Sequence, residues 1–191
     1  MTLRPGRQRW RGLSAGEAAM VTRLFGDAVD CTVVRIYNRR YLPFGLQPKN
    51  CAMTPNGAIY FDKSCCLLDF SAGSEHAIHW FMHEMVHVWQ YQLGYPVRLR
   101  GAVRLGLSYR YVLALDKRLA DYNMEAQGDL LADYFVLRHL ASAASMRQPG
   151  YANDLPMYER VLSHFLAHPA DRKNLPKGIV PFLRRVKASP A

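Results

Sequence analysis

The chain carries His83-Glu84-Met85-Val86-His87 inside an otherwise apolar stretch. Two histidines four residues apart stand one turn from each other on one face of a helix, so their ring nitrogens can hold a single metal ion. Imidazole nitrogen suits Zn²⁺, which in a catalytic site takes a third protein ligand and keeps one position open for water. Glu84, next to the first histidine, lies beside such an ion rather than on it and can take a proton from the attacking water. The chemistry of this spacing is hydrolysis with one zinc ion per chain and Glu84 as the general base. Two core histidines and a solvated glutamate are the structural alternative.

Two histidines leave the site incomplete. One known completion places Gly and His three and six residues after the second histidine, where this chain has Gln90 and Leu93. The other is a glutamate on a later helix, and only Glu125 and Glu159 follow the motif. Glu125 has Asp129 one turn further on, whose carboxylate can accept a hydrogen bond from the far nitrogen of His83 and make that ring a better ligand. Glu159 has Ser163 in that place. Glu125 is therefore the expected third metal ligand and Asp129 the partner of His83; a mildly repelling surface pair is the alternative. Gly128, between them, costs about 1 kcal/mol in a helix interior relative to Ala. A close approach of the motif helix and a tolerated defect explain it equally well. The oxyanion of a hydrolytic intermediate needs a further donor, for which Tyr109, Tyr111, Tyr122 and His164 all qualify by type. His79, a turn before His83, is expected to pack, since three ligands in line along one helix fit an ion poorly.

The elements that position these residues follow from periodicity and punctuation. Ile78, Phe81, Met82, Met85, Val86, Val88 and Trp89 recur at helical spacing, predicting a mostly buried helix. Ser74 caps it, and it ends near Leu93 before Gly94-Tyr95-Pro96. A second helix is expected from Asp116 or Asp121 to Ala141, and a third over residues 157–168. Ser14 with Glu17 three positions on opens a short helix over 14–25. Residues 31–37 and 56–62 read as strands, 65–70 as a strand or helical turn, 38–55 and 146–156 as loop, and 97–115 as irregular with some helix. A peptide substrate would reach the site as an added strand on a sheet edge. Ala58, Ile59 and Tyr60, shortly before the motif helix, are expected to supply that edge.

The chain has 191 residues and a formal charge of +10. It is long enough for one domain with a real core. A basic N-terminal arm (about 1–12) and a basic C-terminal tail (about 170–191) flank that domain, with Arg4, Arg7, Arg9, Arg11 in front and Arg184, Arg185, Lys187 behind. The charge permits contact with nucleic acid or an anionic surface, but no nucleic-acid motif accompanies it, so no specific nucleic-acid partner is expected. The histidines and Glu84 interrupt the best apolar run, so no membrane span is expected. The N-terminus lacks the apolar core of a signal peptide. Cys31, Cys51, Cys65 and Cys66 lack metal-binding spacing and read as thiols, with a Cys31–Cys51 bridge open in an oxidising compartment.

The motif helix followed by Glu125-x-x-x-Asp129 resembles the gluzincin arrangement of zinc peptidases. More narrowly, TPNGAIYF, HEMVHVWQ, SYRY and NMEAQGDLLADYF, within about residues 54–137, are similar to the metallopeptidase domains of Vgr-related and Rhs-associated proteins. The resemblance implies an α+β, mainly helical, zincin-like fold with a small antiparallel sheet and two site helices. It also implies a toxic zinc endopeptidase delivered by a type VI secretion system, with a spike carrier, an immunity protein, and envelope proteins in the periplasm of a target cell as substrates. Secretion without a signal peptide fits that route. Nothing in the chain resembles the spike's β-helical body, which leaves a freestanding effector or an excised domain. The competing expectations are a housekeeping gluzincin-like peptidase and a non-catalytic, zinc-stabilised basic binding module.

Overall fold

The computed structural model describes residues 10–42, 46–102 and 107–177, and Arg4, Arg7, Arg9, Arg184, Arg185 and Lys187 of the expected basic arm and tail lie outside them. The fold is α+β with five helices among these residues: α1 (Ala15–Phe25), α2 (Glu75–Gln92), α3 (Val97–Ala102), α4 (Met124–Leu140) and α5 (Leu155–Ala167). Four short strands, β1 (Trp10–Arg11), β2 (Ile36–Asn38), β3 (Ala52–Met53) and β4 (Ile59–Phe61), form one sheet in the order β1-β2-β4-β3.

The sheet is mixed, which corrects the antiparallel expectation. β1 and β2 are antiparallel and so are β3 and β4, but β2 and β4 run parallel, with Ile36 opposite Ile59. The chain leaves β2 through a long crossover, which permits a parallel return. It then makes the β3–β4 hairpin, whose turn needs Gly57 at φ +76°. β4 is thereby an interior strand, and β3 takes the edge. The strand expected over 31–37 shortens to β2, because Asp30 caps a tight helical turn at Cys31–Val33. Residues 65–70 form no strand; Asp69 caps a turn at Phe70–Ala72 instead. The N-terminal arm does not extend to residue 12, since Trp10 and Arg11 pair with β2.

α1 opens on the expected capping box, with Ser14 Oγ accepting from the Glu17 amide and Glu17 accepting from the Ser14 amide at 2.8 Å. Glu17 is fully buried and also accepts from both Arg11 Nη atoms (2.7 and 2.8 Å) and from the Phe70 amide (2.9 Å). One carboxylate thus ties β1, α1 and the turn leading to α2, with every lone pair used.

α2 is the central element. Every residue from Phe81 to Gln90 is buried, with Ser74 as cap and Gly94 (φ +86°) just beyond its end. Phe25 and Phe165 pack on Trp89 with ring centroids 6.0 and 5.3 Å away, and Phe61, Phe70 and Phe81 stack in series at 4.5 and 5.4 Å. Each such ring contributes roughly 1.5–3 kcal/mol by leaving water. α4 lies alongside α2. It begins later than expected because Asn123, not Asp116 or Asp121, is its cap, accepting from the Glu125 and Ala126 amides at 3.0 and 3.1 Å. Leu119–Asp121 is a separate helical turn.

On α4, Asp133 is fully buried and accepts from His79 Nε2 (2.7 Å), the Tyr111 hydroxyl (2.5 Å) and the Arg147 and Gln148 amides (2.5 and 3.0 Å). His79 is therefore a structural histidine that locks α2, α4 and the 146–151 loop together.

Candidate functional site

α2 and α4 cross so closely at Gly128 that no side chain fits there. A Cβ on Gly128 would stand 2.5 Å from His83 Cε1 and 2.7 Å from Nδ1. Close approach, not a tolerated defect, accounts for this glycine. It lets the first turn of α4 bring Glu125 against the His83–His87 face, where Glu125 Oε2 is 3.3 Å from each Nε2 and the two Nε2 atoms are 3.1 Å apart. Glu125 sits in the first helical turn, where the positive end of the helix favours an ionised carboxylate.

The far side of each ring is fixed. His83 Nδ1 is 2.7 Å from Asp129 Oδ1, and His87 Nδ1 is 2.9 Å from Gln90 Oε1. The Gln90 amide nitrogen donates to Gln127 Oε1 (2.9 Å) and Met124 O (3.3 Å), which assigns its oxygen to His87. Both Nδ1 atoms thus donate, and both Nε2 atoms face Glu125 Oε2. The two buried Nε2 atoms and the part-buried Glu125 Oε2 lie within 3.3 Å of one another, and three lone-pair donors this close are held together by shared positive charge, protons on the rings or a metal ion in their place. Their separations also match the edge of a zinc tetrahedron, about 3.3 Å for a metal–ligand distance of roughly 2.05 Å. His83, His87 and Glu125 therefore fit the ion implied by the sequence.

Electrostatics point the same way. Burial opposes a charge on His83, yet hydrogen bonds to Asp129 and Glu125 and the charges of Asp129 and Glu84 hold its pKa up at about 10. Burial likewise opposes charge on His87, and Glu125 overrides it and raises the pKa. Burial would raise the Glu125 pKa, but the two histidines drive it well below the carboxylate range. Each group shifts so as to keep positive charge at the centre of the cluster.

Glu84 is buried beside the three, and its Oε2 accepts from Thr54 Oγ1 at 2.6 Å. The cluster opens into a cleft of about 550 Å³ walled by Leu42, Leu46, Pro48, Met53, Val97 and Met124, with Arg98 and Tyr109 at its sides. Of the four oxyanion candidates only Tyr109 lines this cleft, its ring 6.0 Å from that of His83. Tyr111 donates to Asp133, Tyr122 donates to Val112 O at 2.8 Å, and His164 is paired with Asp171 at 3.0 Å. Ala58, Ile59 and Tyr60 do not form the cleft edge: β4 is flanked on both sides, and Ile59 and Tyr60 are buried. The edge beside Glu84 is β3 with Thr54 and Pro55. Sequence reasoning missed Thr54 and the Gln90 partner of His87. The helical offset from His87 to Gln90 was a usable signal, whereas nothing local marks Thr54.

No family model matches the chain. The effector domain of Pseudomonas aeruginosa VgrG2b superposes with a TM-score of 0.63 at 38% identity, over 78% of this chain and 85% of that one. The chain belongs to the VgrG2b effector-domain family. The full spike protein, the type VI secretion system spike protein VgrG2b of Pseudomonas aeruginosa, is 40% identical over 148 residues. That match takes in 74% of this chain but only 14% of the spike's length. The match to the VgrG2b effector domain is longer than the 54–137 stretch on which the sequence resemblance rests. Among the described residues no helix is long and apolar enough to cross a membrane.

Proposed function

We propose that the chain is a zinc-dependent endopeptidase of zincin-like fold, serving as a type VI secretion effector that attacks proteins of a target cell's envelope from the periplasm. The observation that carries the catalytic part is the convergence of two buried imidazoles and the part-buried Glu125 carboxylate on one point, with a further carboxylate, Glu84, beside them and outside that group of three. A purely structural zinc site has no use for that carboxylate. Membership of the VgrG2b effector-domain family supports the delivery part.

In this reading His83, His87 and Glu125 hold the ion, with Asp129 and Gln90 keeping the two rings in the ligating tautomer. A zinc ion held by these three residues would supply an acidified water, with a pKa of roughly 7, and Lewis-acid polarisation of the scissile carbonyl. The Glu84 carboxylate accepts the proton of the attacking water and returns it to the leaving amine. Tyr109, which lines the cleft, is the candidate donor to the developing oxyanion. The peptide lies along the open edge of β3, its backbone pairing there.

The test is growth of a Gram-negative host expressing the chain in the cytoplasm or, behind an added signal peptide, in the periplasm, each beside Glu84→Ala. Periplasm-only toxicity that Glu84→Ala abolishes is the expected result. Equal growth of all four strains, with the protein made and zinc bound, would overturn the toxin reading.

A further inference from the structure

Thr54 touches the candidate general base from outside both α2 and α4 and is not one of the three candidate ligands. Its hydroxyl donates to Glu84 Oε2 at 2.6 Å, and both side chains are 5% exposed. Two features of the sequence make this donor rigid. Threonine is β-branched and stiff at χ1, and Pro55 behind it confines its backbone to the extended region. The hydroxyl is thus set in place by covalent structure before any substrate arrives. It also stands directly after β3, whose Ala52 and Met53 pair with β4 on one side and form the sheet edge on the other.

We infer that Thr54 is the positioning residue of the general base. By pinning Oε2 it confines the Glu84 carboxylate to one orientation and keeps the other oxygen for proton transfer. Because it continues the edge strand, the backbone that seats the peptide and the group that aims the base are one rigid segment. This rests on the peptidase reading above and adds to it a residue outside the zinc-binding helices.

The experiment compares zinc-loaded wild type, Glu84→Gln, Thr54→Val and Thr54→Ser on a proteome-derived peptide library read by mass spectrometry, then on the peptide that wild type cuts fastest. Valine keeps the shape and removes the donor; serine keeps the donor. Thr54→Val is expected to lose kcat by about 10- to 100-fold, the scale for partners that orient catalytic-site groups. KM and zinc content should stay at wild-type values, the melting temperature should fall by no more than several degrees for the lost hydrogen bond, and Thr54→Ser should retain most of kcat. Crystal structures of the metal-free proteins give a readout independent of turnover: the Glu84 carboxylate should leave its orientation in Thr54→Val and keep it in Thr54→Ser. Three results would overturn the inference: Thr54→Val as active as wild type while Glu84→Gln is dead, Val and Ser variants equally impaired, or the Val variant failing through lost zinc. If wild type and Glu84→Gln alike cut nothing, the peptidase reading itself falls.

Discussion

Replacing Gly128 by alanine sets two effects of opposite sign against each other. An alanine in a helix interior ordinarily stabilises by about 1 kcal/mol over glycine. Here the added Cβ would stand 2.5 Å from His83 Cε1, 2.7 Å from Nδ1 and 3.0 Å from Nε2. Carbon atoms prefer about 3.5–4.0 Å, so the ring must withdraw by about 1 Å. It has little room to do so, being buried and tied to Asp129 at 2.7 Å on the residue next to the substitution. Overpacking of this kind costs about 1–3 kcal/mol, leaving the fold weaker by about 0–2 kcal/mol. The proposed metal site is hit harder, because ligand distances tolerate only about 0.2 Å. A ring displaced by several times that should cut zinc affinity by at least about 100-fold, or about 2.7 kcal/mol. Competition against a chromophoric zinc chelator measures the affinity, and calorimetry of the metal-free protein measures the fold. A Gly128→Ala protein that binds zinc as wild type does and melts at a higher temperature would refute the close-approach argument.

Removing zinc from wild type with a chelator should lower the melting temperature, by roughly 8–16 °C when free zinc had been about 1,000 times Kd. Calorimetry should show the same drop for Glu84→Gln and none for His83→Ala, since the proposal makes His83 a ligand and Glu84 not one. Asp129→Asn can leave His83 Nδ1 facing a donor, and chelator competition should record a zinc affinity about 10- to 100-fold weaker. Away from the site, hydrogen bonds from Ser64 and Arg40 hold the Asp62 pKa down at about 2 against an ordinary 3.8. The stability this supplies is present above pH 3.8 and lost as pH falls towards 2. Melting temperatures of Asp62→Asn against wild type should therefore differ at pH 5 and converge at pH 2.

What the sequence made legible is what short-range spacing encodes. The α2 helix, its Ser74 cap, its Gly94 stop and the Ser14–Glu17 capping box all depend on residues within one or two turns. The four-residue steps from His83 to His87 and from Glu125 to Asp129 belong to the same class. Long-range pairing was not legible. The parallel β2–β4 contact depends on a crossover whose path no local pattern records, and the interior place of β4 follows from it. The open sheet edge beside the cleft is consequently β3, not the stretch Ala58, Ile59 and Tyr60. Gly128 announced that something approached it, but only the packing of α4 on α2 says that it is the His83 ring. Thr54 meets Glu84 across 30 residues and two elements, and a threonine before a proline looks like any turn.

The most direct test of the account is cleavage itself. Zinc-loaded wild type and Glu84→Gln, each with zinc content verified, are incubated with the proteome-derived peptide library, and new peptide termini are counted by mass spectrometry. The account predicts new termini with wild type, their loss on chelation and return with zinc, and none with Glu84→Gln. The same termini from both proteins, or from neither, would contradict it.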